Sequence, residues 1–254
     1  MRPTRREALF GLAVLPMLAA PSLILARTTF RDSAPVDFGR RAPATFPIHG
    51  IDAARFQGQM NWRQIRRQGV RFAWVKATEG GDLLDPEFKR NWREAKRSGV
   101  PIGAYHFYYF CTDPDTQARW FIRNVPRLRG GMPPVLDLEW NPFSPTCTRR
   151  PPAREVRKVA GRFMQIVERH YKTKVVVYTT PEFWERNEIA NLKQDFWLRS
   201  TAKHVEKRYN FSNWHFWQYT STGILDGVGS EIDLNCFNGS SAQWERWRRS
   251  RAVG

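Results

Sequence analysis

Apolar and polar positions change rhythm repeatedly along the chain. From residue 48 onward, short apolar runs bounded by turn residues alternate with stretches in which apolar residues recur every three or four positions. The runs at 48–54, 71–78, 101–110, 134–140, 174–180 and 196–201 have the length and composition of strands. Between them, Phe88, Trp92 and Ala95 share one helical face, as do Val156, Val159, Phe163 and Ile166 or Val167. Gly69, Gly99 and the Pro133-Pro134 pair punctuate the returns from helix to strand. Past the sixth run the helices thin out, and 214–220 and 231–237 read as two more strands joined through a glycine-rich turn. Eight strands in this order predict a modified TIM-like (β/α) barrel over 48–240, read as parallel, with its active site at the C-terminal strand ends. No internal repeat or second domain is visible.

Within such a barrel, acidic residues in strands stand out, because an unpaired buried charge is costly. Asp52 lies in Ile48-His49-Gly50-Ile51-Asp52-Ala53, Asp137 and Glu139 in Pro134-Val135-Leu136-Asp137-Leu138-Glu139-Trp140, and Asp233 in Glu231-Ile232-Asp233-Leu234-Asn235. Side chains alternate along a strand, so Asp137 and Glu139 face the lumen while Leu136 and Leu138 face the helices. Asp-x-Glu alone would also suit a solvated strand edge; Asp52 and Asp233 in matching positions argue against it. Four carboxyls at one mouth must raise at least one pKa. A protonated acid beside a carboxylate is the pairing glycoside cleavage uses, one group donating to the leaving oxygen and the other steadying charge at the sugar carbon. Residues two apart on a strand are roughly 6.5–7 Å apart along the backbone, between the separations of retaining and inverting pairs. Retaining, inverting and substrate-assisted routes all stay open. The carboxylates lack a His-x-x-x-His or similar partner, so neither a metal nor a cofactor is expected.

Lys76 sits in the middle of an apolar strand, where its ammonium requires a carboxylate or a substrate oxygen. His106 alternates away from Tyr105 and reads as a hydrogen-bonded structural residue, while His49, His170, His204 and His215 form no constellation. Aromatic residues at strand ends suit a saccharide groove, but Phe72, Trp74 and Phe107 are expected to be barrel core.

Composition narrows the class. The chain has 254 residues, 41% of them hydrophobic, with 11 Trp and 17 Phe, which excludes a disordered chain or a disulfide mini-scaffold. Its formal charge of +17 would draw it to polyanions such as nucleic acid, anionic lipid or an acidic cell wall. The basic residues are spread over helices and a C-terminal tail at 241–254 containing Arg246, Arg248, Arg249 and Arg251. No phosphate loop or nucleic-acid motif accompanies them, so an anionic cell-wall surface is the expected partner and no specific nucleic acid is.

The first 26 residues place Arg2, Arg5 and Arg6 before a mostly apolar run, as a signal peptide of the twin-arginine type does. Cleavage after Ala26 would leave +15; an uncleaved membrane anchor is the alternative. Residues 27–47, rich in Pro, Arg and Thr, are expected to form an extended linker. Export to the periplasm or beyond places three cysteines in an oxidising compartment, an odd count that leaves one free or paired between molecules. Cys111 and Cys147 follow strands at the same barrel end and are the expected pair; three unlinked buried thiols are the alternative.

Six motifs then occur in a familiar order: Gly50-Ile51-Asp52, the run from Phe72 through Lys76 to Glu79-Gly80, Asp85-Pro86-x-Phe88-x-x-Asn91, Gly103-Ala104-Tyr105-His106-Phe107, Leu136-Asp137-Leu138-Glu139 and Trp217-Gln218-Tyr219. Over residues 48 to about 239 the chain resembles glycoside hydrolase family 25, the bacterial and phage muramidases. The resemblance implies hydrolysis of the β-1,4 bond between N-acetylmuramic acid and N-acetylglucosamine in peptidoglycan glycan strands. It implies Glu139 as general acid and Asp137 as the carboxylate that orients the acetamido group or stabilises the oxocarbenium. Asp52 and Asp233 would be outer acids that bind sugar or water and hold Glu139 protonated. Lys76 and Tyr105 would contact substrate, with Tyr178 and Trp217 as further lumen-facing aromatics. Ala53-Ala54 stands where the family often has Val-Ser, and residues 196–200 match the sixth strand only loosely, which bears on substrate preference. A barrel that binds cell-wall glycan without cutting it is the competing class.

Overall fold

The computed structural model describes residues 30–254; the leader expected at 1–26 lies outside the described residues. The parallel strands are β2 (His49–Ala53), β3 (Phe72–Glu79), β5 (Ile102–Phe107), β6 (Val135–Leu138), β7 (Val176–Thr179), β8 (Asp195–Arg199) and β9 (Phe216–Ile224). The eighth, β10 (Ile232–Phe237), runs antiparallel to both β9 and β2 and closes the barrel. Two short strands are attached outside this ring, β1 (Arg31–Asp32) on β9 and β4 (Leu83–Leu84) on β3. A wholly parallel barrel is thus corrected at one strand. The β9–β10 connection is a glycine-containing turn instead of a helix, and so short a return can only reverse direction. The reversal explains why Asp233, at the start of its strand, lies beside Asp52, near the end of its own: the two are register partners.

The helices are α1 (Trp62–Arg67), α2 (Phe88–Arg97), α3 (Pro114–Asn124), α4 (Ala153–Tyr171), α5 (Pro181–Asn187), α6 (Val205–Tyr209) and α7 (Ser241–Ser250). α6 has only five residues and no helix separates β9 from β10, so the helical layer does thin after the sixth barrel strand. Outward-facing Ile51, Ala73, Val75, Leu136, Leu138, Val177 and Leu198 are fully buried against this layer.

The lumen has its own core. Phe72, Phe216 and Phe237 fill its lower part, Trp74 stacks on Trp197 at 4.8 Å above them, and Tyr178 meets Trp197 edge-on. Such bulk fits because neighbouring strands carry glycine: a Cβ on Gly50 would lie 2.4 Å from the Phe72 ring, and one on Gly103 2.5 Å from Trp74 Nε1. Phe72 and Trp74 are core as expected.

Both ends of the chain differ from expectation. Residues 30–46 are docked on the barrel instead of forming an extended linker: β1 pairs with β9, Phe38 packs on Trp217 at 4.8 Å and Phe46 on Trp214 at 5.6 Å. Three phenylalanines in this stretch give it an apolar stake in the barrel that its Pro and Arg content disguises. The basic tail is helix α7, capped by Ser240 and Gln243, and it inserts Trp244 and Trp247 under the lumen as its floor. Arg251 and Trp247 both bond the buried Asp195 carboxylate at 2.7 Å. Arg246 and Arg249 face water while the indoles, spaced i, i+3, face in.

Candidate active site

The upper lumen opens into a cleft of about 800 Å³, within the range of small-molecule sites. Asp52, Asp137, Glu139 and Asp233 all line it, as do Lys76, Tyr105 and Tyr178. Glu139 follows the last residue of β6 and continues its alternation, so it shares the lumen face with Asp137. Asp233 sits where the β9–β10 register shifts, a bulge that frees this strand end from regular pairing.

Burial dominates the electrostatics. It pushes Glu139 up to about 7, an effect the positive charges of Arg199 and Lys76 oppose. Asp137 is raised well above the carboxylate range by burial and then by the Glu139 charge, and its Oδ1 has no hydrogen-bond partner. Asp52 rises to about 6, again through burial, although Asn235 Nδ2 donates to it at 2.7 Å and Gln218 Nε2 at 3.0 Å. Asp233 is raised by burial and then by the Asp52 charge beside it, which favours its protonated form. The Glu139 charge acts on Asp137 and the Asp52 charge on Asp233, so these acids do not titrate independently.

Trp217 is the site residue that the fold displaces. Its indole lies on the outer face of β9, donates to the Ser200 carbonyl at 2.7 Å and packs among Phe38, Trp214 and His204. Alternation then turns Gln218 inward. The tryptophan that does line the cleft is Trp197, on β8. Phe107, expected in the core, also lines the cleft, with Lys76 Nζ 4.9 Å from its ring centroid. His106 is structural as expected: it bonds Thr78 at 2.8 Å and Gln117 at 3.0 Å and stacks on Phe163.

Several cleft residues escaped the sequence reading. Glu79 pairs with Lys76 at 2.5 Å, accepts from Tyr109 Oη, and Asn141 donates to that hydroxyl at 2.9 Å. Strict alternation would turn Glu79 away from Lys76; a register shift between Lys76 and Thr78 reverses the phase and brings both into the cleft. Arg199 could have been found from the inward series Asp195, Trp197, Arg199. Cys111 and Cys147 form a disulfide between the β5–α3 and β6–α4 loops, and Cys236 is buried and free. Among the described residues no cluster of His, Cys, Asp or Glu has the arrangement of a metal site.

The sequence profile of glycosyl hydrolases family 25 matches residues 51–228. The chain belongs to glycosyl hydrolase family 25. It is 34% identical over 211 residues to Lysozyme M1 of Streptomyces globisporus, spanning 78% of this chain and 70% of that protein. Among solved structures it resembles a family 25 glycosyl hydrolase from Bacillus anthracis, with TM-score 0.72, 35% identity, and coverage of 80% of this chain and 94% of the other. A bacterial lysozyme from Streptomyces coelicolor gives TM-score 0.68 and 33% identity over 77% of this chain and 94% of its own. The family 25 chain is accordingly a glycoside hydrolase of the lysozyme type, not a glycan-binding barrel without activity.

Proposed function

We propose that this family 25 enzyme hydrolyses peptidoglycan at the β-1,4 bond between N-acetylmuramic acid and N-acetylglucosamine, with Glu139 as general acid. The observation that carries the reading is the gathering of four carboxyls around one saccharide-sized cleft, Asp52 and Asp137 buried and Glu139 and Asp233 partly exposed, with Glu139 held near 7. At neutral pH such a group is protonated in a large fraction of molecules and strong enough to protonate a leaving oxygen.

Asp137 carries the complementary role. Its partnerless Oδ1 is a buried acceptor that a substrate 2-acetamido N–H would satisfy. Accepting that bond favours the Asp137 carboxylate, whose charge in turn favours the protonated form of Glu139. The acetamido oxygen then attacks the anomeric carbon while Glu139 protonates the departing oxygen. Water, giving its proton back to Glu139, opens the resulting ring and regenerates the acetamide with net retention. A product of inverted configuration would overturn this route. Asp52 and Asp233 bind sugar or water and keep the cleft's negative charge close to Glu139. Lys76, Tyr105 and Tyr178 contact the glycan through donors and ring faces.

Mass spectrometry of fragments released from purified peptidoglycan tests the bond assignment. New reducing ends on N-acetylmuramic acid are expected; reducing N-acetylglucosamine ends would refute it. The working compartment is the periplasm or the exterior, reached by the twin-arginine-like leader, and the Cys111–Cys147 disulfide suits that oxidising setting. The charge of +17 would concentrate the enzyme on an anionic wall.

A further inference from the structure

Arg199 ends β8 on the cleft wall, four strands around the ring from Lys76 on β3, so two cations face each other across the acid cluster. They differ in one respect. Lys76 is neutralised by Glu79 at 2.5 Å. Arg199 has no acid within 4 Å and its guanidinium makes no hydrogen bond among the described residues, although it is only partly exposed. Its backbone is fixed, since Tyr209 Oη donates to the Arg199 carbonyl at 2.8 Å. Its charge acts on Glu139, Asp52 and Asp233 from beyond 4 Å, but none of them bonds it, and Asp52 takes its donors from Gln218 and Asn235 instead. The one other cleft cation without an acid partner, Arg55, is exposed at the rim and packs on Phe56 at 5.2 Å. Arg199 therefore presents, from a fixed backbone, an unoccupied fork of N–H donors inside the acid-lined cleft, where its planar geometry matches a carboxylate.

We propose that Arg199 is a specificity residue that takes a free carboxylate on the substrate. Resting on the muramic acid reading above, the group is the carboxyl of the 3-O-lactyl ether, which is anionic on peptide-free glycan and neutral once amidated by a stem peptide. The enzyme then prefers glycan from which the peptides have been removed. The carboxylate accepts two charge-assisted bonds from the guanidinium; an amide oxygen offers a neutral acceptor in its place. A difference of about 10- to 100-fold in kcat/KM is expected from one such interaction.

The test uses peptide-free glycan chains and the same chains after carbodiimide coupling to methylamine, with the full-length enzyme, R199K and R199M. Wild type should favour the acid form by at least about 10-fold, chiefly in KM. R199M should bring the acid-to-amide ratio toward one, and R199K should keep an intermediate ratio. Equal rates on both glycans in wild type, or a ratio unchanged in R199M, overturns the inference. Should R199M fold poorly, the wild-type and R199K ratios decide it. Cleavage of neither form, with intact peptidoglycan also uncut, would instead remove the muramic acid reading itself.

Discussion

Trp217 and Gln218 are adjacent on β9 and serve opposite faces of the barrel: the indole donates outward to the Ser200 carbonyl, and the amide donates inward to Asp52. Their substitutions should differ in the balance of activity and stability. Q218L removes a donor that favours the Asp52 carboxylate and the acceptor of the Tyr178 hydroxyl at 2.8 Å, so activity should fall about 10-fold with a stability loss of about 1–3 kcal/mol. W217A opens a cavity costing about 3–5 kcal/mol, which should appear in thermal melts first. A Q218L enzyme with full activity would contradict the Asp52 assignment.

Glu139 must be protonated to act as an acid, and burial places its titration at about 7. Activity on soluble glycan should therefore decline above pH 7 with a single-proton limb. E139Q cannot deliver a proton and should lose about 10²–10⁴-fold in kcat. An alkaline limb near the ordinary glutamate value of 4.5 would show that the cleft does not hold the proton.

The same shift sets the sign of a stability effect. Glu139 binds its proton more tightly folded than unfolded between about 4.5 and about 7, so its contribution favours the folded state below that window and declines as pH rises through it. E139Q has no such proton to lose. At pH 7.5 it should melt higher than wild type, by about 1–3 kcal/mol or a few degrees, and the gap should close near pH 4.5. Scanning calorimetry at the two pH values checks this.

The Cys111–Cys147 bond closes a loop of sequence separation 36, and its loops carry Tyr109 and Asn141 to the cleft rim. Reduction, or the double serine variant, should cost about 2–4 kcal/mol. KM should rise as well, because Phe143, 90% exposed on the same loop, forms part of the cleft. Unchanged kinetics after reduction would separate the loop from substrate binding.

With +17 on the chain, retention on purified wall should weaken as salt rises past the physiological range, where surface charges are screened within about 8 Å. A sedimentation assay at two salt concentrations measures it.

The barrel was legible because apolar runs of strand length recur with helical stretches between them, and all eight runs are strands. The four acids were legible because charge is rare inside such runs. Three features resisted for physical reasons. The direction of β10 depends on a connection whose brevity is visible but whose consequence is tertiary. The cleft position of Glu79 depends on a register shift that no alternation pattern carries. Trp217 was placed inside by motif, where the phase of β9 puts Gln218. Residues 30–46 and α7 were misread because charge and proline dominate their composition while a few aromatics dominate their packing.

The floor of the lumen arrives last. Until Trp244 and Trp247 dock, the rings of Phe72, Phe216 and Phe237 line an open shaft accessible to solvent from below. A nascent or proteolysed chain ending before residue 241 would thus hold every group of the acid cluster yet resemble a pipe more than a cup. Such fragments should be sticky, chaperone-bound species, and the helix that looks most dispensable is the stopper on which the vessel depends.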